Sequence, residues 1–248
     1  MKLVEYGNTN HDVIMMLHGG GLSWWNYKKE AEMLSDRFHI VLPLIDGHGE
    51  SDAPFVSIER NAQKLIQYIQ DNFGGRIKAL CGLSLGAQIA VEMISQKHDL
   101  CEYAMIESVS LIPSRFLERM IGPTVSMSYG LIKQRWFSKM QFASLHINAS
   151  LYRKYYRDTC LITKEDMISF LRANTQYKIK NSICNTDAMI KIIVGGKEQG
   201  NMIRSAKVLC DELKNGSLDI KEGLYHGEFS LNRPVAYVEA LLELIQSR

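Results

Sequence analysis

The chain has 248 residues, 46% apolar and 23% charged, with a formal net charge of +2, an ordinary globular composition with length for one large domain or two small ones. Near-balanced charge without a basic block argues against nucleic acid as a partner. No apolar run approaches the ~18 residues of a membrane span, so a membrane is not an expected partner either.

The first residues carry an early acid, Glu5, and no long apolar segment, unlike a secretory leader. The five cysteines are Cys81, Cys101, Cys160, Cys184 and Cys210, an odd number without a C-x-x-C pair. They read as free thiols in a reducing compartment, which predicts a cytoplasmic protein with neither a disulfide framework nor a metal site.

Residues 12–17 form a continuous apolar run after a polar turn. That is the pattern of a strand buried on both faces, as in a parallel sheet. It leads into His18-Gly19-Gly20-Gly21 and a loop holding Trp24 and Trp25, followed by a helix over 27–35 with Ala31 and Leu34 inward. A second strand at 38–43 precedes the turn 46–52. Ser57 is placed to cap an amphipathic helix over 58–72, which Gly74-Gly75 ends. Residues 77–81 read as a short buried strand and 87–94 as a helix, with Gly82-Leu83-Ser84-Leu85-Gly86 between them. Another strand is predicted at 103–109.

From 113 to 182 the pattern changes to aromatic, Met, Lys and Arg residues at helical spacing, without a clear strand. A segment of that length is too long for a loop, so it is expected to be a helical cap. The core would comprise 1–112 and 183–248. After the insertion come a strand at 188–196, a helix at 202–213, a strand at 217–222 and a closing helix at 234–246. Alternating strands and helices predict an α/β fold with a mostly parallel sheet and helices on both faces.

Strand, G-x-S-x-G, helix is the setting of a nucleophile elbow, with Ser84 exposed at a sharp turn. A serine hydroxyl needs a base, and the base needs a group that orients it. His226, after the last strand and before the closing helix, is the expected base. His18 and His48, in glycine-rich turns before Ser84, are weaker rivals. Glu198, just past the strand at 188–196, is the first choice for the acid and Glu107, at the end of the strand before the insertion, the second. The order Ser84, Glu198, His226 matches one convergent arrangement of such triads. The backbone N–H of Leu85 and one from the His18–Gly21 glycine run, assigned to Gly20, are the expected oxyanion donors.

Taken together, His18-Gly19-Gly20-Gly21, the Gly47-His48-Gly49-Glu50-Ser51-Asp52 turn, the Gly82–Gly86 motif, the strand ending near Gly195 and the His226 loop resemble the α/β-hydrolase fold family. The likeness is to its small members with a helical cap between strands six and seven in the family's count. The resemblance implies a serine hydrolase cleaving a small carboxylic ester or thioester through an acyl-enzyme, without a cofactor. The same triad in related capped folds also serves C–C bond hydrolysis or elimination, and the fold occurs in non-catalytic ligand-binding proteins. The family's acid is commonly Asp where this chain has Glu198.

The expected partner is a small ester-like molecule with an apolar portion, and monomer and homodimer both stay open. Trp24 and Trp25, beside the glycine run, and Met127 and Trp136 of the cap are expected to wall the substrate cleft. Lys133, Arg135, Arg153, Lys154 and Arg157 make the cap locally basic, through either an anionic substrate or a solvated helix face.

Overall fold

The apolar runs become the inner strands of one sheet. The computed structural model describes residues 2–247. Its strands are β1 (Leu3–Tyr6), β2 (Val13–Leu17), β3 (His39–Pro43), β4 (Ile77–Leu83), β5 (Cys101–Glu107), β6 (Met189–Gly195) and β7 (Gly216–Lys221). Among the described residues these form a seven-stranded sheet in the order β1-β3-β2-β4-β5-β6-β7. All neighbours pair in parallel except β1 with β3.

Side chains alternate across a strand, and β2 shows why its sequence is unbroken in apolar character. Val13, Met15 and Leu17 enter the core on one face; Ile14 and Met16 enter the core on the other. β1 escaped the sequence reading because it has only four residues at an edge, where partial exposure removes the apolar run.

Helices α1 (Lys28–Leu34), α2 (Ile58–Phe73) and α3 (Leu85–Gln96) connect the first strands. Between β5 and β6 lie α4 (Arg115–Ile132), α5 (Arg135–Ser144), α6 (Tyr152–Leu161) and α7 (Lys164–Gln176). The chain closes with α8 (Gly200–Glu212), α9 (Glu228–Asn232) and α10 (Pro234–Gln246). α2, α3 and α8 cover one face of the sheet, through residues such as Leu65, Ile89 and Leu209. α1 and α10 cover the other, through Leu34, Tyr237 and Leu241. By this chain's own count the helical insertion leaves the fifth strand and returns at the sixth, not between strands six and seven. The difference is one of numbering, the family's count of strands against this chain's.

Local signals set the helix ends. Ser57 Oγ accepts from the Arg60 N–H at 3.1 Å, and Gly74 closes α2 at φ 66°, the left-handed cap that glycine adopts without a Cβ penalty. In the insertion, Thr163 Oγ1 accepts from the Asp166 N–H at 3.0 Å to start α7.

Two carboxyls lie in the core below the carboxyl ends of the strands. Burial pushes Glu30 up to about 8, aided by the nearby Glu107, and pushes Glu107 up to about 7. Both groups bind a proton more tightly folded than unfolded. Their contribution is therefore intact below the ordinary carboxylate range and is lost as pH rises through 7 to 8. The melting temperature is expected to fall as pH rises from the ordinary carboxylate value of 4.5 to about 8, and Glu30→Gln, which cannot ionise, to lessen the fall by several degrees. Equal falls in the two proteins, followed by circular dichroism, would show that Glu30 is not the group responsible.

Candidate active site

The site is built at the carboxyl ends of β2, β4, β5 and β6. Ser84 joins β4 to α3 at φ 53° and ψ −109°, a strained conformation for a residue with a Cβ. Packing holds it there. A Cβ at position 82 would meet the Gly86 carbonyl oxygen at 2.5 Å, and one at position 86 would meet the Leu17 carbonyl oxygen at 2.2 Å. Both glycines are thus demanded by close backbone approach. Ser84 N–H donates to the Glu107 carbonyl at 2.9 Å, tying the turn to the neighbouring strand.

Leu85 opens α3, so its N–H has no partner within the helix and shares the helix's positive end. Gly20 faces the same space. Ser84 and His226 line one cavity of about 220 Å³ between the sheet ends and the insertion, walled by Leu22, Ile132, Leu145, Met167 and Phe170. No Asp, Glu, Lys or Arg side chain lines it among the described residues.

Burial separates the candidate histidines. His18 is fully buried; Nδ1 donates to the Gly19 carbonyl at 2.9 Å and Nε2 accepts from the Ile45 N–H at 3.1 Å. Burial, with His48 alongside, lowers it to about 3. His48 is likewise buried and lowered to about 4. Neither is available as a proton acceptor near neutral pH. His226 is half exposed, and its Nδ1 donates to Glu198 Oε2 at 2.7 Å.

Glu198 follows β6 and is almost fully buried. Its Oε1 accepts from Ser108 Oγ and from the Gly195 N–H, each at 2.7 Å. Burial alone would raise this carboxyl; the bonds from His226, Ser108 and Gly195 outweigh it and hold the group below the ordinary carboxylate range. The alternative acid, Glu107, is held elsewhere: its Oε1 accepts from the Ser230 N–H at 3.2 Å. It is Glu198 whose carboxylate meets the imidazole of His226.

Ser108 was not singled out by the sequence, which places it inside a strand. β5 ends at Glu107, and Ser108 leaves it at φ 54°. Its Oγ donates to Glu198 and accepts from the Gly227 N–H at 3.2 Å, linking the loops that carry Glu198 and His226. A polar residue directly after a buried strand was the available signal.

The insertion is fastened to the same loop. His146 stacks on Tyr225, with ring centroids 3.8 Å apart and 13° between planes. Asn232 holds the adjoining backbone on both sides, accepting from the Asn148 N–H and donating to the His146 carbonyl, each at 2.8 Å. Lys197 lies over the Tyr225 ring, 5.0 Å from its centroid.

Four expected wall residues are placed elsewhere. Trp25 is buried, and its Nε1 donates to Asp158 Oδ2 at 2.6 Å, an anchor between core and insertion. Trp24 borders a separate cleft with Lys2, Glu50 and Arg157. Met127 and Trp136 point to solvent, 85% and 62% exposed, because the opposite faces of their helices are the ones that pack inward. The cavity wall comes instead from Ile132, Leu145, Met167 and Phe170, which sequence spacing did not distinguish from core. No group of three or more His, Cys, Asp or Glu is placed to hold a metal ion among the described residues.

This geometry meets the known proteins at the level of family. The alpha/beta hydrolase family profile matches residues 14–181, and the chain belongs to that family. A curated relative, the "Uncharacterized hydrolase YugF" of Bacillus subtilis (strain 168), is 27% identical over 143 residues, 54% of this chain and 50% of the relative. The match thus spans about half the length of that relative. Among solved structures, the esterase EaEST of Exiguobacterium antarcticum superposes with a TM-score of 0.82 at 16% identity, over 98% of this chain and 94% of that one. The enol-lactonase of Burkholderia xenovorans LB400 gives 0.80 at 15% identity, over 98% and 95%. At such identities the likeness is one of fold.

Since a methyl at position 86 has only backbone to displace, Gly86→Ala is expected to cost about 3 kcal/mol of stability. Urea denaturation measures this, and an unchanged midpoint would mean that the turn is not constrained by its approach to β2.

Proposed function

We propose that the chain is a serine hydrolase acting on small, uncharged carboxylic esters or thioesters. The observation that carries this reading is the 2.7 Å bond from His226 Nδ1 to Glu198, with His226 and Ser84 on the wall of one apolar cavity. Donating Nδ1–H to a carboxylate leaves Nε2 as the basic nitrogen. Ser84 Oγ attacks the acyl carbon while Nε2 takes its proton, and Glu198 stabilises the imidazolium. The N–H groups of Leu85 and Gly20 hold the oxyanion. His226 gives the proton to the departing alkoxide or thiolate. Water then attacks the acyl-enzyme with the same histidine as base, and the acid leaves as Ser84 regains its proton.

Cavity chemistry narrows the substrate. An apolar cavity of about 150 Å³ takes benzene, so about 220 Å³ suits one ring or a short acyl chain. The absence of charged side chains from its wall among the described residues favours an uncharged acyl group. The basic residues of the insertion are thereby assigned to its outer surface, and the anionic-substrate alternative loses its support. In this reading the insertion, 113–182, is the cap that excludes water from Ser84.

A fluorophosphonate probe is expected to label Ser84 and to leave Ser84→Ala unlabelled. Ser84→Ala and Glu198→Ala are expected to lose about a thousandfold or more in kcat on p-nitrophenyl butyrate. Absence of labelling in folded protein would overturn the proposal, as would full activity of Ser84→Ala. Loss of one hydrogen bond to an ionised group, about 1.4 kcal/mol, corresponds to about tenfold. Ser108→Ala is therefore expected to lower kcat by about that factor with KM unchanged; a change in KM alone would show that Ser108 acts on binding rather than on the Glu198–His226 pair.

A further inference from the structure

Helices α4 and α5 are apolar on two opposite faces. On α4, Ile121, Val125 and Ile132 pack inward with the core. Phe116, Met120, Met127 and Leu131 lie on the other side, 73%, 48%, 85% and 40% exposed. At 100° per residue these four fall within about 60° of arc, a single stripe. On α5, Trp136 and Met140 repeat the arrangement, 62% and 57% exposed. A surface helix normally turns a polar face to water, and a patch of large exposed side chains marks a contact surface.

Charge indicates what the patch contacts. Arg115 and Arg119 flank the α4 stripe, and Arg135 and Lys139 flank the α5 pair at the same offsets. None of these four, nor Lys133 between the helices, forms a salt bridge among the described residues. The charge is also segregated over the chain. Residues 113–182 hold twelve Lys and Arg against four Asp and Glu, a net of +8, while the rest of the chain carries a net of −6. Two copies meeting patch to patch would bring like charge together, which disfavours self-association through this face. Lys133 and Arg135 lie over the Tyr129 and Tyr156 rings, but none of the five cations has a carboxylate partner among the described residues, and apolar side chains beside such cations match an interface where acyl chains lie beneath anionic headgroups.

We propose that the outer face of α4 and α5 docks on an anionic lipid surface. The contact is peripheral: no helix among the described residues is long and apolar enough to cross a membrane. The inner side of the same helices, through Ile132 and Gln141, lines the cavity of Ser84. An apolar ester dissolved in lipid is thus brought to the layer of protein that separates the lipid from the site.

The test is sedimentation of the full chain with sucrose-loaded phosphatidylcholine vesicles, with and without phosphatidylglycerol. It involves no turnover, so its result is independent of the hydrolase reading. Binding is expected only with phosphatidylglycerol, weakening as salt rises. Trp136 emission is expected to shift to shorter wavelength on binding, and the shift to vanish in Trp136→Phe. The paired variants Phe116→Ser with Met120→Ser, and Arg115→Gln with Arg119→Gln, are each expected to bind about tenfold more weakly at unchanged melting temperature. No sedimentation, or equal sedimentation with phosphatidylcholine alone, would overturn the proposal. A dimer by light scattering that becomes monomeric in Phe116→Ser with Met120→Ser would assign the face to a second copy and overturn it as well.

Discussion

The close approach of α3 to β2 is the constraint on which the rest of the site depends. With hydrogen alone at position 86, the first turn of α3 lies against the Leu17 carbonyl. That approach forces the sharp bend at Ser84 and places the start of α3 beside the glycine run after β2. Strain at one serine is sustained by the parallel sheet on either side of it, a distribution typical of functional turns.

Around that fixed point the polar groups divide by what burial does to them. Desolvation, the largest cause in each case, favours the neutral forms of Glu30, Glu107, His18 and His48. Glu198 is buried too, yet three donors reach its carboxylate, and the balance turns toward the charged form. Two glutamates at the ends of adjacent strands thus differ in kind through their hydrogen bonds rather than their depth. Burial raises the one in the core, while hydrogen bonds lower the one beside the imidazole.

Much of this was legible in the chain. The inner strands announced themselves because burial on both faces leaves no polar position, and the glycines at 82 and 86 because a sharp turn against a neighbouring strand excludes a Cβ. Glu198 and His226 were legible as residues that follow strands, and their side chains meet at 2.7 Å. What stayed hidden depends on side-chain direction. Met127 and Trp136 sit on helices apolar on two sides, so spacing alone could not say which side meets the cavity. Trp25 turned out to be an anchor because its indole N–H found Asp158, 133 positions away. Ser108 was absorbed into a strand that ends one residue earlier, its polar character after a buried run being the one local sign of that end.

The stacking of His146 on Tyr225, with Asn232 gripping the backbone beside it, makes the roof and the imidazole-bearing loop a single mechanical piece. A force that lifts this part of the insertion pulls on the chain one residue from His226. The position of that part of the insertion and the orientation of the imidazole therefore share one joint.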